Sequence, residues 1–123
     1  MIDHIGIDVS DLARSRIFYE AVFKTLDIKL TKDEGSWILF GCDAEGGVVL
    51  GTGKPPTTPI HIAFTAKTRQ QVRDFYEAAL KNGGRDNGAP GIREKYSPTY
   101  YGAFVIDPDG HNIEAVCHKH SEG

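Results

Sequence analysis

Two stretches of this chain match at a single offset of 57 residues. His4-Ile5 recurs as His61-Ile62, and Arg16 with Phe18-Tyr19-Glu20-Ala21 recurs as Arg73 with Phe75-Tyr76-Glu77-Ala78. Seven identities in one register are poorly explained by chance, so the chain reads as two copies of one supersecondary unit. The copies span residues 1–53 and 60–123, with 54–59 as the linker, where Pro55, Pro56 and Pro59 block both helix and central strand. A total of 123 residues suffices for one domain with a hydrophobic core and is too short for two ordinary ones.

Each copy opens with a strand. In Ile2–Val9, Ile5, Ile7 and Val9 share one face, and His4, Gly6 and Asp8 the other. In Ile60–Ala66, Ile62, Phe64 and Ala66 oppose His61, Ala63 and Thr65. Both histidines therefore leave the apolar face. A helix follows in each copy. Val72, Phe75, Tyr76, Ala79 and Leu80 recur at helical spacing, with Thr68 and Gln71 as a capping box and Asn82-Gly83-Gly84 as the stop. In the first copy Phe18, Tyr19, Val22 and Phe23 take the matching face, with Ser10 as N-cap. The remaining segments read as strands: Trp37–Phe40 and Gly47–Gly51, then Tyr101–Ile106 and Asn112–Cys117. Shorter ones are expected near Ile28–Leu30 and Ile92–Glu94. Asp107-Pro108-Asp109-Gly110 has Pro and Gly where a type I turn prefers them.

The final strand carries the informative acid. Glu114 stands between Ile113 and Ala115, and a carboxylate buried there costs several kcal/mol without a cation or metal. Read alone, Glu114 is equally an exposed residue or the ion-pair partner of Arg85 or Arg93. Together with two repeat-equivalent histidines it forms a ligand set. Two imidazoles and a carboxylate are the donor type of catalytic Zn²⁺ and non-haem Fe(II), and also suit Ni²⁺ or Mn²⁺. Aligning Asp43–Gly46 with Asp107–Gly110 places Leu50 opposite Glu114, so the first copy brings no fourth ligand. Around this set, Tyr96, Tyr100 and Tyr101 flank Ser97-Pro98-Thr99 as a packed loop or as substrate-contacting, proton-transferring phenols. His118 shares the face of Glu114 and is a pocket-rim group; His111 reads as a solvated turn residue, and His120 lies in a polar tail. Leu50, Arg93 and Tyr96 are candidate substrate contacts, and Tyr100, Tyr101 and His118 candidate catalytic groups. Cys117 alternates with Glu114 and should face the helix.

Composition removes other classes. Lys plus Arg number 14 and Asp plus Glu 17, for a net charge of −3, with both signs interspersed. Nucleic acid and anionic membranes are therefore poor partners. No apolar run reaches the ~20 residues of a membrane-spanning helix, and Met1-Ile2-Asp3-His4 does not open a signal peptide. Cys42 and Cys117 form no close-spaced motif, which suits a reducing cytoplasm.

The two His-initiated copies, Phe18-Tyr19-Glu20-Ala21 and the ending Asp107-Pro108-Asp109-Gly110-His111-Asn112-Ile113-Glu114 resemble the vicinal oxygen chelate superfamily. That superfamily includes glyoxalase I, bleomycin-resistance proteins, extradiol dioxygenases and fosfomycin-resistance enzymes. The stretch from Gly83 to Phe104 is similar to an uncharacterised glyoxalase-related subgroup. The resemblance implies an α+β fold of two βαβββ modules, forming a curved mixed sheet around a cavity with helices on its outer face. It implies one divalent ion (Zn, Ni, Mn or Fe) held by His4, His61 and Glu114, a small-molecule substrate chelated through vicinal oxygens, and a homodimer. The expected activity is lyase-like, as in lactoylglutathione lyase, or dioxygenase-like. The alternative is a non-catalytic binding or sequestration protein of bleomycin-resistance type. Glyoxalase I usually has a further ligand where this chain has Leu50.

Overall fold

The order β1 (His4–Asp8), α1 (Leu12–Lys24), β2 (Leu30–Asp33), β3 (Trp37–Cys42), β4 (Gly46–Gly51) is repeated as β5 (His61–Thr65), α2 (Arg69–Lys81), β6 (Arg85–Ile92), β7 (Tyr101–Ile106), β8 (Asn112–Cys117). This is a computed structural model, and it describes residues 2–42, 46–52 and 58–119. Most of the linker, the Asp43–Gly46 turn apart from Gly46, and His120 lie outside the described residues. The strands form two four-stranded mixed sheets, ordered β1-β4-β3-β2 and β5-β8-β7-β6. In each, the first strand pairs parallel with the last and every other pair is antiparallel. The α+β architecture of two βαβββ modules is thus as the repeat implies, and β1 and β5 are edge strands.

The helices start and stop for local reasons. Thr68 caps α2 by accepting the Gln71 amide, while the Gln71 side chain accepts the amide of Lys67. Asp11, not Ser10, caps α1, accepting the Arg14 amide at 3.1 Å. Ser10 instead donates its hydroxyl and its amide to Asp109 of the other module. The strand expected near Ile28 begins at Leu30, because the Ile28 amide is spent on Phe23 O as α1 unwinds through Asp27, at φ 61°. The one expected near Ile92–Glu94 lies earlier, at Arg85–Ile92. Two irregularities in its pairing accommodate a run containing Gly88, Pro90 and Gly91.

One core serves both modules. Phe18, Tyr19, Val22 and Phe23 of α1 are fully buried, and the Phe23 ring meets Phe40 of the first sheet and Phe64 of the second, each at 5.0 Å. Cys117 is a buried free thiol on the helix side of β8. The β7–β8 turn reinforces the junction. Its own geometry is set by Gly110 N–H to Asp107 O at 3.1 Å, and by Asp107 Oδ1 accepting the amides of Asp109 and His111. Its outer side then grips α1: Asp107 accepts the Tyr19 hydroxyl, and Asp109 accepts Ser10, Ser15 and Arg14. His111 is not solvated. It is 2% exposed, its Nδ1 accepts the Ile60 amide at 3.1 Å, and Nε2–H is therefore left to donate to Asp8 O at 3.0 Å. No described helix is long and apolar enough to cross a membrane.

Burial, then the charge of Asp107, hold the Tyr19 hydroxyl well above its ordinary value of 10.0. Unfolded Tyr19 ionises near that value, so the stability this group contributes is complete below pH 10 and is lost as pH rises beyond it. Tyr19→Phe should remove that alkaline loss. It should also lower stability at neutral pH by about 1–3 kcal/mol, because an Asp107 oxygen loses its partner. Urea unfolding at pH 7 and at pH 10–11 measures both.

Candidate functional site

Strand alternation decides which side chains meet on the open face of the second sheet. Register places Ala63, Glu114 and Phe104 side by side across β5, β8 and β7, with Thr65, Val116 and Gly102 in the next row. His61 and Asn112 lie one row on the other way. Glu114 is only 1% exposed although it belongs to this open face. The Tyr100 phenol covers it, donating to Oε2. Gly102 makes that possible, since a Cβ there would lie 3.1 Å from the Tyr100 ring and 3.3 Å from Oε2. Burial, and then the bond to Glu114, raise the Tyr100 pKa. Tyr100 is flanked by Tyr96, with ring centroids 4.9 Å apart, and by His118, edge-on at 5.3 Å.

The other carboxylate oxygen faces an imidazole. His61 Nε2 lies 3.2 Å from Glu114 Oε1, and His61 Nδ1 lies 3.1 Å from Asn112 O. A carbonyl only accepts, so Nδ1 carries a proton and donates it. A lone pair on Nε2 would then oppose a lone pair on Oε1 at hydrogen-bond distance. A proton on either group, or a metal ion between them, satisfies that arrangement. A backbone partner on the far imidazole nitrogen is also how metal-binding histidines are oriented. These two donors therefore fit a divalent ion as two members of a ligand set.

His4 is not gathered with them. Its side chain is 60% exposed, and its Nδ1 is 2.7 Å from Asp3 Oδ1, which leaves Nε2 directed elsewhere. Among the described residues no group of three His, Cys, Asp or Glu side chains could hold a metal ion. Arg85 and Arg93 do not pair with Glu114; His61 and Tyr100 take both its oxygens. Arg93 lies over the Phe104 ring at 5.5 Å, and Phe104 stacks on His61 at 6.2 Å. Tyr101 is on the wrong side for this site. It pairs with Cys117 across β7–β8, turns to the helices, and accepts a hydrogen bond from Arg73.

Leu50 also leaves the site. It pairs with Ile7 and is fully buried in the core. Register equates His4 with His61, and their neighbours Gly6 and Ala63 with one another. Gly6 faces Val49 as Ala63 faces Glu114, so Val49 is the true counterpart of Glu114. The alignment through the turn was one residue short, which in a strand exchanges the faces. Val49 supplies no ligand either. Phe104, Gly102 and Asn87, whose amide donates to Asn112 Oδ1 at 3.2 Å, also belong to this face. Periodicity alone marks them only as outward-pointing. A separate cavity of about 370 Å³ lies at the corner of α1 and β2, bounded by Ile5, Ile28, Phe40, Val48 and Phe64. It contains none of His61, Tyr100 and Glu114.

Residues 1–115 match the family model of the Glyoxalase/Bleomycin resistance protein/Dioxygenase superfamily. A glyoxalase/bleomycin resistance protein from Albidiferax ferrireducens T118 is 30% identical with a TM-score of 0.84, and the match covers 97% of this chain and 99% of that one. Two further structures share the fold. Lactoylglutathione lyase from Agrobacterium tumefaciens has a TM-score of 0.68 at 17% identity, covering 95% and 92% of the two chains. The FosX fosfomycin resistance protein of Listeria monocytogenes, an E126Q mutant complexed with Mn(II) and 1S,2S-dihydroxypropylphosphonic acid, has 0.72 at 18%, covering 99% and 93%. No curated protein matches the chain in sequence.

The Gly102 geometry is testable without a ligand. Gly102→Val should destabilise the fold by about 1–3 kcal/mol through overpacking. In a Tyr100→Ala background the same substitution should cost at least ~0.5 kcal/mol less, the coupling expected of groups in contact. Denaturant unfolding of the four proteins measures it. Equal costs in both backgrounds would contradict the contact.

Proposed function

Because the chain belongs to the Glyoxalase/Bleomycin resistance protein/Dioxygenase superfamily, we propose that it is a metal-dependent enzyme acting on a small oxygenated molecule. The reaction is lyase-like or dioxygenase-like and the setting is the cytoplasm. The observation that carries the reading is the apposition of His61 Nε2 and Glu114 Oε1, 3.2 Å apart, with the remote imidazole nitrogen already committed to Asn112 O. His61 and Glu114 hold one divalent ion, and His4 completes the set from a second copy of the chain. Three features support the homodimer. His4 and His61 sit at repeat-equivalent ends of edge strands, the edges of β1 and β5 are open to pairing, and His4 is held by Asp3 much as His61 is held by Asn112. Imidazole and carboxylate donors suit Zn²⁺, Ni²⁺, Mn²⁺ and Fe²⁺ alike.

The ion, when bound, supplies Lewis acidity toward substrate oxygens. The chain's own residues do the rest. Tyr100 fixes Glu114 through Oε2, which leaves Oε1 to the ligand set, and burial together with that bond keeps its phenol protonated. His118, edge-on to Tyr100, can exchange a proton with solvent at the rim. Phe104 stacks on His61 and Tyr96 lies against Tyr100 at the margin of the site. Val49 in place of a carboxylate leaves coordination positions open to substrate.

Wild-type protein should retain about one ion per chain after exposure to mixed divalent ions and removal of the excess. Glu114→Ala, His61→Ala and His4→Ala should each lose it. Co-refolding His4→Ala with Glu114→Ala chains should restore about one ion per mixed dimer, because one of the two shared sites is then intact. No rescue would contradict sharing between copies. No ion in any sample would contradict the enzyme reading and favour a non-catalytic sequestration protein.

A further inference from the structure

Arg14 and Arg16 are matched by acids. Arg14 meets Asp109, and Arg16 meets both Glu20 and Asp33. Arg93 is not: among the described residues no carboxylate lies within ion-pair distance of it. Its guanidinium is nevertheless held in place. Nη2 donates to Ala89 O at 2.7 Å, and the group lies on the Phe104 ring. The sheet leaves room for it. A Cβ on Gly88 would lie 3.1 Å from Nη2, and one on Gly91 3.2 Å from Nη1. The guanidinium thus occupies the space that side chains at 88 and 91 would have filled. It does so on the open face, because Gly88, Phe104 and Glu114 are successive neighbours across β6, β7 and β8. Two strand spacings of about 4.8 Å separate the Gly88 and Glu114 backbones, so the cation stands roughly 10 Å from the carboxylate's strand. The positive charge also reaches the Tyr100 phenol, where it lowers the pKa against the larger upward effects.

A cation bonded to one backbone carbonyl keeps most of its N–H donors available, in the planar fork that carboxylates match. We propose that Arg93 is the seat for an anionic group of the substrate, so that the molecule chelated at His61 and Glu114 is a carboxylate or a comparable oxyanion. This rests on the metal-site reading of the same face. The substrate is then bipolar in a chemical sense: neighbouring oxygens at one end, and a negative charge on the far side of a short spacer lying along Phe104.

The probes are catechol and 3,4-dihydroxybenzoate, which share their chelating oxygens and differ in the carboxylate. On protein loaded with Zn²⁺, calorimetry at low salt should show the carboxylated probe binding about tenfold more tightly. Arg93→Gln should reduce that ratio to about one while retaining the metal, and Arg93→Lys should keep part of it. A ratio of one in the wild type, or a ratio that survives Arg93→Gln, overturns the anion seat and leaves the metal site standing. A wild type that binds no metal overturns the metal reading instead. The seat is then judged on metal-free protein by titrating benzoate and following the Arg93 Nε resonance. A saturable shift supports the seat, and its absence overturns it.

Discussion

The docking of the β7–β8 turn onto α1 is the contact on which the rest of the molecule depends. Asp107 and Asp109 face Tyr19, Ser10, Ser15 and Arg14, and His111 ties Ile60 to Asp8, so one tight turn touches the end of β1, the start of α1 and the entry to β5. The same turn launches β8, the strand that carries Glu114. The buried carboxylate therefore inherits its position from contacts that also join the modules. Each of these polar groups is paired, as burial at a junction requires. Beneath it, the Phe23 ring spans both sheets, so neither module has a private core.

Around that common frame the two copies have diverged on their open faces. The first presents Gly6 and Val49 where the second presents Ala63 and Glu114. Each retains a histidine at the same strand position, with its Nδ1 bonded to a neighbouring acceptor: the Asp3 carboxylate in one case and the Asn112 carbonyl in the other. Duplication thus accounts for two imidazoles at equivalent strand positions, and divergence for the single carboxylate beside His61. In the metal-site reading, Val49 leaves to the substrate a coordination position that a carboxylate there would take.

Much of this was legible in the sequence, and what was not has physical causes. The 57-residue repeat gave the modules, and alternation in Ile2–Val9 and Ile60–Ala66 put both histidines on the open face. Thr68 caps α2 and the Asp107–Gly110 turn forms as read, although Gln71 reaches back to the Lys67 amide rather than to that of Thr68. The errors fall where local pattern was overruled from a distance. Ser10 has the side chain of an N-cap but is claimed by Asp109, 99 residues away in sequence. His111 follows a turn, a position usually solvated, yet this turn is an interface. Leu50 was set opposite Glu114 by matching turn to turn, and a single-residue difference in register moved the counterpart to Val49. β6 was misplaced because its glycines and proline carry no strand signature.

Those same glycines connect the fold to the chemistry of the open face. Gly88 and Gly91 weaken β6 as a strand and interrupt its pairing with β7, a cost that a side chain at either position would have reduced. What occupies the vacated space is the Arg93 guanidinium, brought there by a loop that closes through Arg93 N–H to Tyr100 O at 2.8 Å. Gly102 plays the equivalent part for Tyr100, whose ring lies where a side chain on β7 would otherwise stand. In both cases an absent side chain on a rigid strand admits a functional group delivered from the Arg93–Tyr100 loop. The cation and the phenol are thereby held against the sheet rather than carried freely on a loop. This explains how the most irregular segment of the second module can place a phenol on Glu114 and a cation over Phe104 with fixed orientation.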